Sequence, residues 1–150
     1  MSQGEATGQF VTLRLKGQLI GLPIGQVRDV FQISEVTPIP HAEASVQGLV
    51  NLRGRIIVLF SLAGLLGVPE GAPAKTRMAV GVDWRGETYG ILIDDIGDVI
   101  ELPLSQSEDL PTHLDHSWTR HACRLHKLDS ELMVELDLTA LLEPPLVQAA

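Results

Sequence analysis

Aromatic side chains are scarce in this chain: three Phe, two Trp and one Tyr in 150 residues. Few rings are left on which bases or sugars could stack, and the core falls to Leu, Ile and Val. Cysteine occurs once, at Cys123, so no internal disulfide can close, which fits a reducing compartment. No apolar run reaches the roughly 18 residues of a membrane span. The N-terminal MSQGEATGQF lacks the basic start and apolar stretch of a secretory signal. Positive charge is also short: 11 Lys and Arg stand against 19 Asp and Glu, a net charge of −8 that repels nucleic-acid phosphates and anionic lipid. Direct binding to nucleic acid or membrane is not expected. A phosphate-cradling loop is missing too, because Gly64 to Gly67 runs into Val68-Pro69, not into Lys-Ser or Lys-Thr.

What remains is a chain with 45% hydrophobic and 20% charged residues, which excludes a disordered polymer. At this length about 70% of the unfolded surface can be buried. The composition is that of a protein that binds proteins.

The chain contains its own repeat. QFVTLRLKGQLIGLPIGQVRDVF aligns with RMAVGVDWRGETYGILIDDIGDVI without a gap when Gly17 is set on Gly86. Val11, Leu13, Ile20, Leu22 and Val30 then fall on Val80, Val82, Tyr89, Ile91 and Val99, Gly21 on Gly90, and Asp29 on Asp98. LRGRIIVLFSLAGLL likewise lies over LDSELMVELDLTALL, so that Ile56 meets Leu132 and Phe60 meets Leu136. Between the copies, VPEGAPAKTR reads as a linker. The expected organisation is a tail at 1–9, one subdomain at 10–67, a linker at 68–77, a second subdomain at 78–143 and a tail at 144–150.

Alternation in Val11, Leu13 and Leu15, a Lys16-Gly17 turn, and Ile20, Leu22 and Ile24 predict a hairpin with one buried and one wet face. Val80, Val82, Trp84 and the Arg85-Gly86 turn repeat it. The run Ile56 to Phe60, beside the Arg53-Gly54 turn, predicts a strand covered on both faces. SLAGLL and DLTALL read as single helical turns, the second capped by Asp137. Short strands, close turns and no long amphipathic helix predict an all-β chain of two small barrels or sandwiches with four or five strands each. The segment EDLPTHLDHSWTRHACRLHK breaks the repeat and is expected to hold a short helix and an entering strand.

These residues resemble the CheW family of chemotaxis coupling proteins, from about Gln9 to Leu142. GLVNLRGRIIVLFSL is similar to the family's Gly-x-x-Asn-Leu-Arg-Gly hairpin and its buried strand. IGQVRDVFQI and ILIDDIGDVIEL stand where the family has paired hydrophobic and acidic elements. The resemblance implies two SH3-like five-stranded barrels related by internal duplication, with a groove between them. It implies a non-catalytic, cytoplasmic scaffold that needs no cofactor and is recruited to receptor arrays at the inner face of the membrane. Its partners would be the cytoplasmic tip of methyl-accepting chemoreceptors and the regulatory domain of a CheA-type histidine kinase. By the same resemblance, Asn51, Leu52, Arg53 and Gly54 match the receptor-contact hairpin, Val27 and Asp29 match positions tied to that contact, and the apolar face near them would meet the kinase. Ser61 and Ala63 stand where the family usually carries an Asp and an Arg, and Val58 where a Pro is frequent.

The duplication supplies an argument that does not need the family. Asn51-Leu52-Arg53-Gly54-Arg55 in one copy faces Lys127-Leu128-Asp129-Ser130-Glu131 in the other. Packing does not demand a charge flip at a solvated turn, so the flip marks a tip specialised for recognition. Arg53 is the leading candidate, because a guanidinium binds carboxylates or carbonyls through a fixed fork of donors. Arg55, Asp129 and Glu131 are secondary candidates, and opposite tips would permit weak self-association.

Three rival chemistries are weaker. His113, His116, His121 and His126, with Asp115 and Cys123, could form a metal-binding regulatory segment at 113–126, but their spacing matches no standard ligand pattern. Asp94-Asp95 and Glu108-Asp109 could be an acid–base pair, yet neighbours on a strand point to opposite faces. Cys123 could act as a nucleophile, without any established signature around it.

Overall fold

The protein is described here from a computed structural model covering residues 6–15, 17–42, 45–66, 77–93, 96–109 and 122–142. It is almost wholly strand: β1 (Thr7–Leu15), β2 (Gln18–Pro23), β3 (Asp29–Ile33), β4 (Val46–Leu52), β5 (Arg55–Ser61), β6 (Arg77–Trp84), β7 (Glu87–Ile93), β8 (Ile96–Pro103), β9 (Ser107–Glu108), β10 (Ala122–Lys127) and β11 (Leu132–Leu136). Helical turns follow β5 at Leu62–Leu66 and β11 at Leu138–Leu141. Both turns are capped as their sequences require. Asp137 Oδ1 accepts from the N–H groups of Thr139 and Ala140 at 3.0 and 3.3 Å, and Ser61 Oγ accepts from Gly64 N–H at 3.1 Å.

The strands form two curled sheets in the orders β8-β1-β2-β11-β10-β9 and β3-β6-β7-β5-β4. The repeat converts one order into the other: β3, β6, β7, β5 and β4 become β8, β1, β2, β11 and β10. Register is kept as well, save that β1 and β8 shift by one residue between Val11 and Leu13, whereas β3 and β6 pair regularly through Asp29 and Gly81. Val30 pairs with Val80 as Val99 pairs with Val11, and Leu59 pairs with Gly90 as Glu135 pairs with Gly21.

This pairing departs from the division at 68–77. Each sheet takes its leading hairpin from the other half of the sequence, so β1-β2 joins β8, β10 and β11, while β6-β7 joins β3, β4 and β5. The repeat marks which residues are equivalent. Sheet membership depends on which edge each hairpin finds, and the alternation pattern is the same either way.

The exchange also corrects the expected wet face. Phe10 to Leu13 and Leu19 to Leu22 are buried without interruption. Val11, Leu13, Leu15, Ile20 and Leu22 turn to a central core shared by both sheets, which also takes in Phe60, Leu62, Val80, Val82, Ile91, Val134, Leu136 and Leu138. The opposite face fills the barrel interiors: Phe10, Leu19 and Met133 in one, and Ile33, Val50, Ile57, Leu59 and Ala79 in the other. The largest apolar cluster therefore lies between the barrels.

Ile56 is a second correction. Ile57 and Leu59 point inward, and Ile56, on the other face and outside the shared core, is 62% exposed. Its repeat counterpart Leu132 is exposed too.

Candidate functional site

The β4–β5 hairpin closes in two residues, Arg53 at φ +53° and Gly54 at φ +84°. Two successive positive φ angles match the right-handed twist of a hairpin, and only glycine adopts them without steric penalty. Arg53 holds this conformation at a cost of about 1 kcal/mol, so its side chain must be accounted for by something other than the turn. Asn51 Oδ1 accepts from Gly54 N–H at 2.9 Å and pins the tip. Leu52 packs on the barrel interior and anchors it from below.

The β6–β7 hairpin has the same arginine-glycine turn, with Arg85 at φ +50°. There the guanidinium lies over the Trp84 ring, 4.4 Å from its centroid. Arg53 has no such ring among the described residues. It stands 76% exposed and donates to Asp29 Oδ2 at 3.2 Å. The structure thus brings together Asp29 and Arg53, which lie 24 positions apart in the chain.

Asp29 begins β3, directly opposite Gly81 of β6. Its Oδ1 is buried and accepts no hydrogen bond among the described residues, while Oδ2 receives Arg53. Val27 is half-buried against the central core and ends the short 3-10 turn Ile24–Gln26. That turn is clipped to the far half of the sequence: Gln26 Nε2 donates to Asp137 Oδ1 at 2.9 Å, and Leu138 N–H donates to Gln26 Oε1 at 2.7 Å. Burial pushes the Asp137 carboxyl up. Hydrogen bonds from Thr139, Gln26 and two backbone N–H groups outweigh that and hold it below its ordinary value.

Around the tip the surface is rich in arginine. Arg28 donates to Asp83 Oδ2 at 2.6 Å, and Thr88 donates to Asp83 Oδ1 at 2.7 Å. Those two hydrogen bonds, Thr88's first, hold the Asp83 carboxyl below its usual range. Arg55 is exposed beside them. Val30, 38% exposed, and Ile56 lie on the outer face of the same sheet.

The opposite tip, Asp129-Ser130, is solvated as expected, but its acidity is partly cancelled. Glu131 accepts two hydrogen bonds from Arg14, at 2.9 and 2.8 Å, and those bonds depress its carboxyl. Asp129 is exposed. The contrast between the tips is therefore Arg53 against Asp129, with Glu131 already paired.

Of the rival sites, His113, Asp115, His116, His121, Asp94, Asp95 and the side chain of Cys123 lie outside the described residues. His126 is inside a barrel, 2% exposed, in contact with Phe10 and 2.8 Å from Glu135 Oε1 through Nε2. Among the described residues no group of three or more His, Cys, Asp or Glu is placed to hold a metal. Glu108 and Asp109 face solvent and pair with Lys127 and Arg124.

Sequence reasoning missed Gly81, the Arg28-Asp83-Thr88 network and the exposure of Ile56. The repeat alignment did hold a signal for Gly81, because it sets this glycine against Thr12.

The CheW-like domain model matches residues 9–145. The chain belongs to the CheW-like domain family. It is 26% identical over 135 residues to the chemotaxis protein CheW of Thermotoga maritima, a match spanning 90% of this chain and 87% of that one. It is 23% identical to the chemotaxis protein CheW of Bacillus subtilis, covering 96% and 93%. Protein PilI of Pseudomonas aeruginosa matches at 28% over 67% of this chain and 57% of its own. Among solved structures, the scaffolding protein TtCheW of Thermoanaerobacter tengcongensis superposes with a TM-score of 0.82 at 25% identity, over 94% of this chain and 96% of that one. The two sheets are the two SH3-like barrels of that fold, and the family is one of non-catalytic chemotaxis coupling proteins. No helix among the described residues is long and apolar enough to cross a membrane.

The departures at Ser61 and Ala63 also find their place. Both are buried, 2% and 6% exposed, in the strand and helical turn that line the central core. Ser61 caps where its repeat counterpart Asp137 caps. Neither residue reaches the Arg53 tip's surface.

Proposed function

We propose that this chain is a cytoplasmic scaffold that links the tips of methyl-accepting chemoreceptors to the regulatory domain of a CheA-type histidine kinase, and so lets receptors control the kinase. The observation that carries this reading is the display of Arg53. The guanidinium stands well into solvent on a turn pinned by Asn51, and Asp29 fixes its direction from below. A preoriented cation loses little freedom when a partner carboxylate or carbonyl arrives. Asn51, Leu52, Arg53 and Gly54 form the docking tip, with Val27 and Asp29 setting its base. Arg55 extends the positive surface, and the apolar face carrying Val30 and Ile56 meets the kinase. Recruitment to receptor arrays at the inner face of the membrane follows from these contacts.

The test is reconstitution of the purified chain with a receptor signalling fragment and the kinase. Asn51→Ala should weaken receptor-dependent kinase activation by loosening the tip while the chain melts as the parent does. Full activation by that variant would count against the pinned tip as the docking element.

A further inference from the structure

The two barrels keep the same strand order, yet their equivalent tips differ: Arg53 is held by the Asp29 carboxylate, while the matching position of the β10–β11 tip is Asp129. Asp29 and Asp98 are equivalent by the repeat, so possession of the acid does not make the difference. Besides the tip residue itself, what differs is the residue that faces the acid from the neighbouring strand. Opposite Asp29 stands Gly81, and a methyl group added there would lie 2.6 Å from Asp29 Oδ1. The carboxylate therefore occupies the place a side chain at 81 would take. Gly81 shows no positive φ, so its backbone does not require glycine.

In the other barrel that place holds a side chain, and β1 and β8 shift register there, between Val11 and Leu13. The counterpart of Gly81 is Thr12, which is buried, and its Oγ1 donates to the backbone carbonyl of Asp98 at 2.7 Å. Asp98 is exposed. Threonine's own side chain bonds to the bulged strand beside Gly97, and there the acid faces solvent instead of lying over β1.

We infer that Gly81 is a positioning residue for the Arg53 tip: its missing side chain seats the Asp29 carboxylate, and that seat aims the guanidinium. The consequence for partner binding rests on the docking function proposed above, while the seating of Asp29 does not.

The test copies the second barrel's residue into the first. In Gly81→Thr, and more weakly in Gly81→Ala, the Arg53 Nε–Hε signal in NMR spectra should move to the position it takes in Asp29→Ala. Melting should stay cooperative. Affinity for the receptor–kinase assembly should fall about fivefold, the factor for one partly exposed ion pair, and adding Asp29→Ala should lower it no further. An Arg53 signal that stays at its parental position in both Gly81 variants would overturn the inference. So would an additional fivefold loss in the double variant. If the signal moves and affinity does not, with Arg53→Glu abolishing assembly, the positioning role is refuted and docking through Arg53 stands. If Arg53→Glu also assembles normally, docking through Arg53 is refuted, and the signal alone decides the seating. Should the threonine variant fail to fold, Gly81→Ala carries the same comparison.

Discussion

Replacing Met133 by alanine asks whether the barrels unfold as one body. Met133 is fully buried in the interior of the β1-containing barrel, against Phe10 and Leu19, and its sulfur and methyl group occupy the space over Gly21. Removing them leaves a cavity that the short strands on each side cannot easily close. Buried methionine-to-alanine changes cost 2–5 kcal/mol, and with Gly21 offering no side chain to refill the space we expect about 3 kcal/mol. The residue touches neither the central core cluster nor the other barrel's interior. Yet β1 and β2 present their opposite faces to the core that both sheets share. The loss should therefore spread to amides of β3 to β7, whose slowest-exchanging members should exchange about 150-fold faster, the factor that corresponds to ~3 kcal/mol in native-state hydrogen exchange. The same factor is expected in β1, β2 and β11. Protection lost in one sheet and kept in the other would refute the shared core as the unit of cooperativity.

Other outcomes follow from particular contacts. Gly21→Ala brings a methyl group to 2.5 Å from Met133 Cε, so it should destabilise alone, and its cost should shrink in combination with Met133→Ala, as a double-mutant cycle of denaturant midpoints would show. Asp137→Ala removes the cap and the Gln26 bond together and should cost about 1–2 kcal/mol in chemical denaturation. Because the folded Asp137 carboxyl lies below its ordinary value of 3.8, its stabilisation is complete above that pH and disappears as pH falls through the lower folded value. Asp137→Asn should keep much of the cap and flatten that part of the acid limb. Arg14→Ala should let the Glu131 carboxyl rise toward its ordinary value in an NMR titration and leave melting nearly unchanged.

How much of this was readable depends on the range of the interaction. The hairpins, the capped turns and the duplication were legible because alternation, arginine-glycine turns and Asp137 act within a few residues. The exchange of hairpins was not, because β1-β2 has the same pattern whichever edge it joins. Thr12 and Leu19 look like wet-face positions in an isolated hairpin, and burial on both faces appears only once a barrel interior and a shared core enclose it. Ile56 misled for the converse reason: an apolar run says strand, but its end projects beyond the core. At the site, Arg53 and Asn51 were visible as a turn that breaks the repeat. The seat of Asp29 was not, since Gly81 is an ordinary strand residue until the partner across the ladder is known.

The most direct measurement is ternary assembly of the Arg53→Glu variant with receptor fragment and kinase, read by co-sedimentation alongside its thermal midpoint. Reversing a charge that is 76% exposed should leave the midpoint within a few degrees of the parent. Assembly should be lost. A variant that melts like the parent and still co-sediments fully would contradict the claim that this tip is where the chain meets its partners.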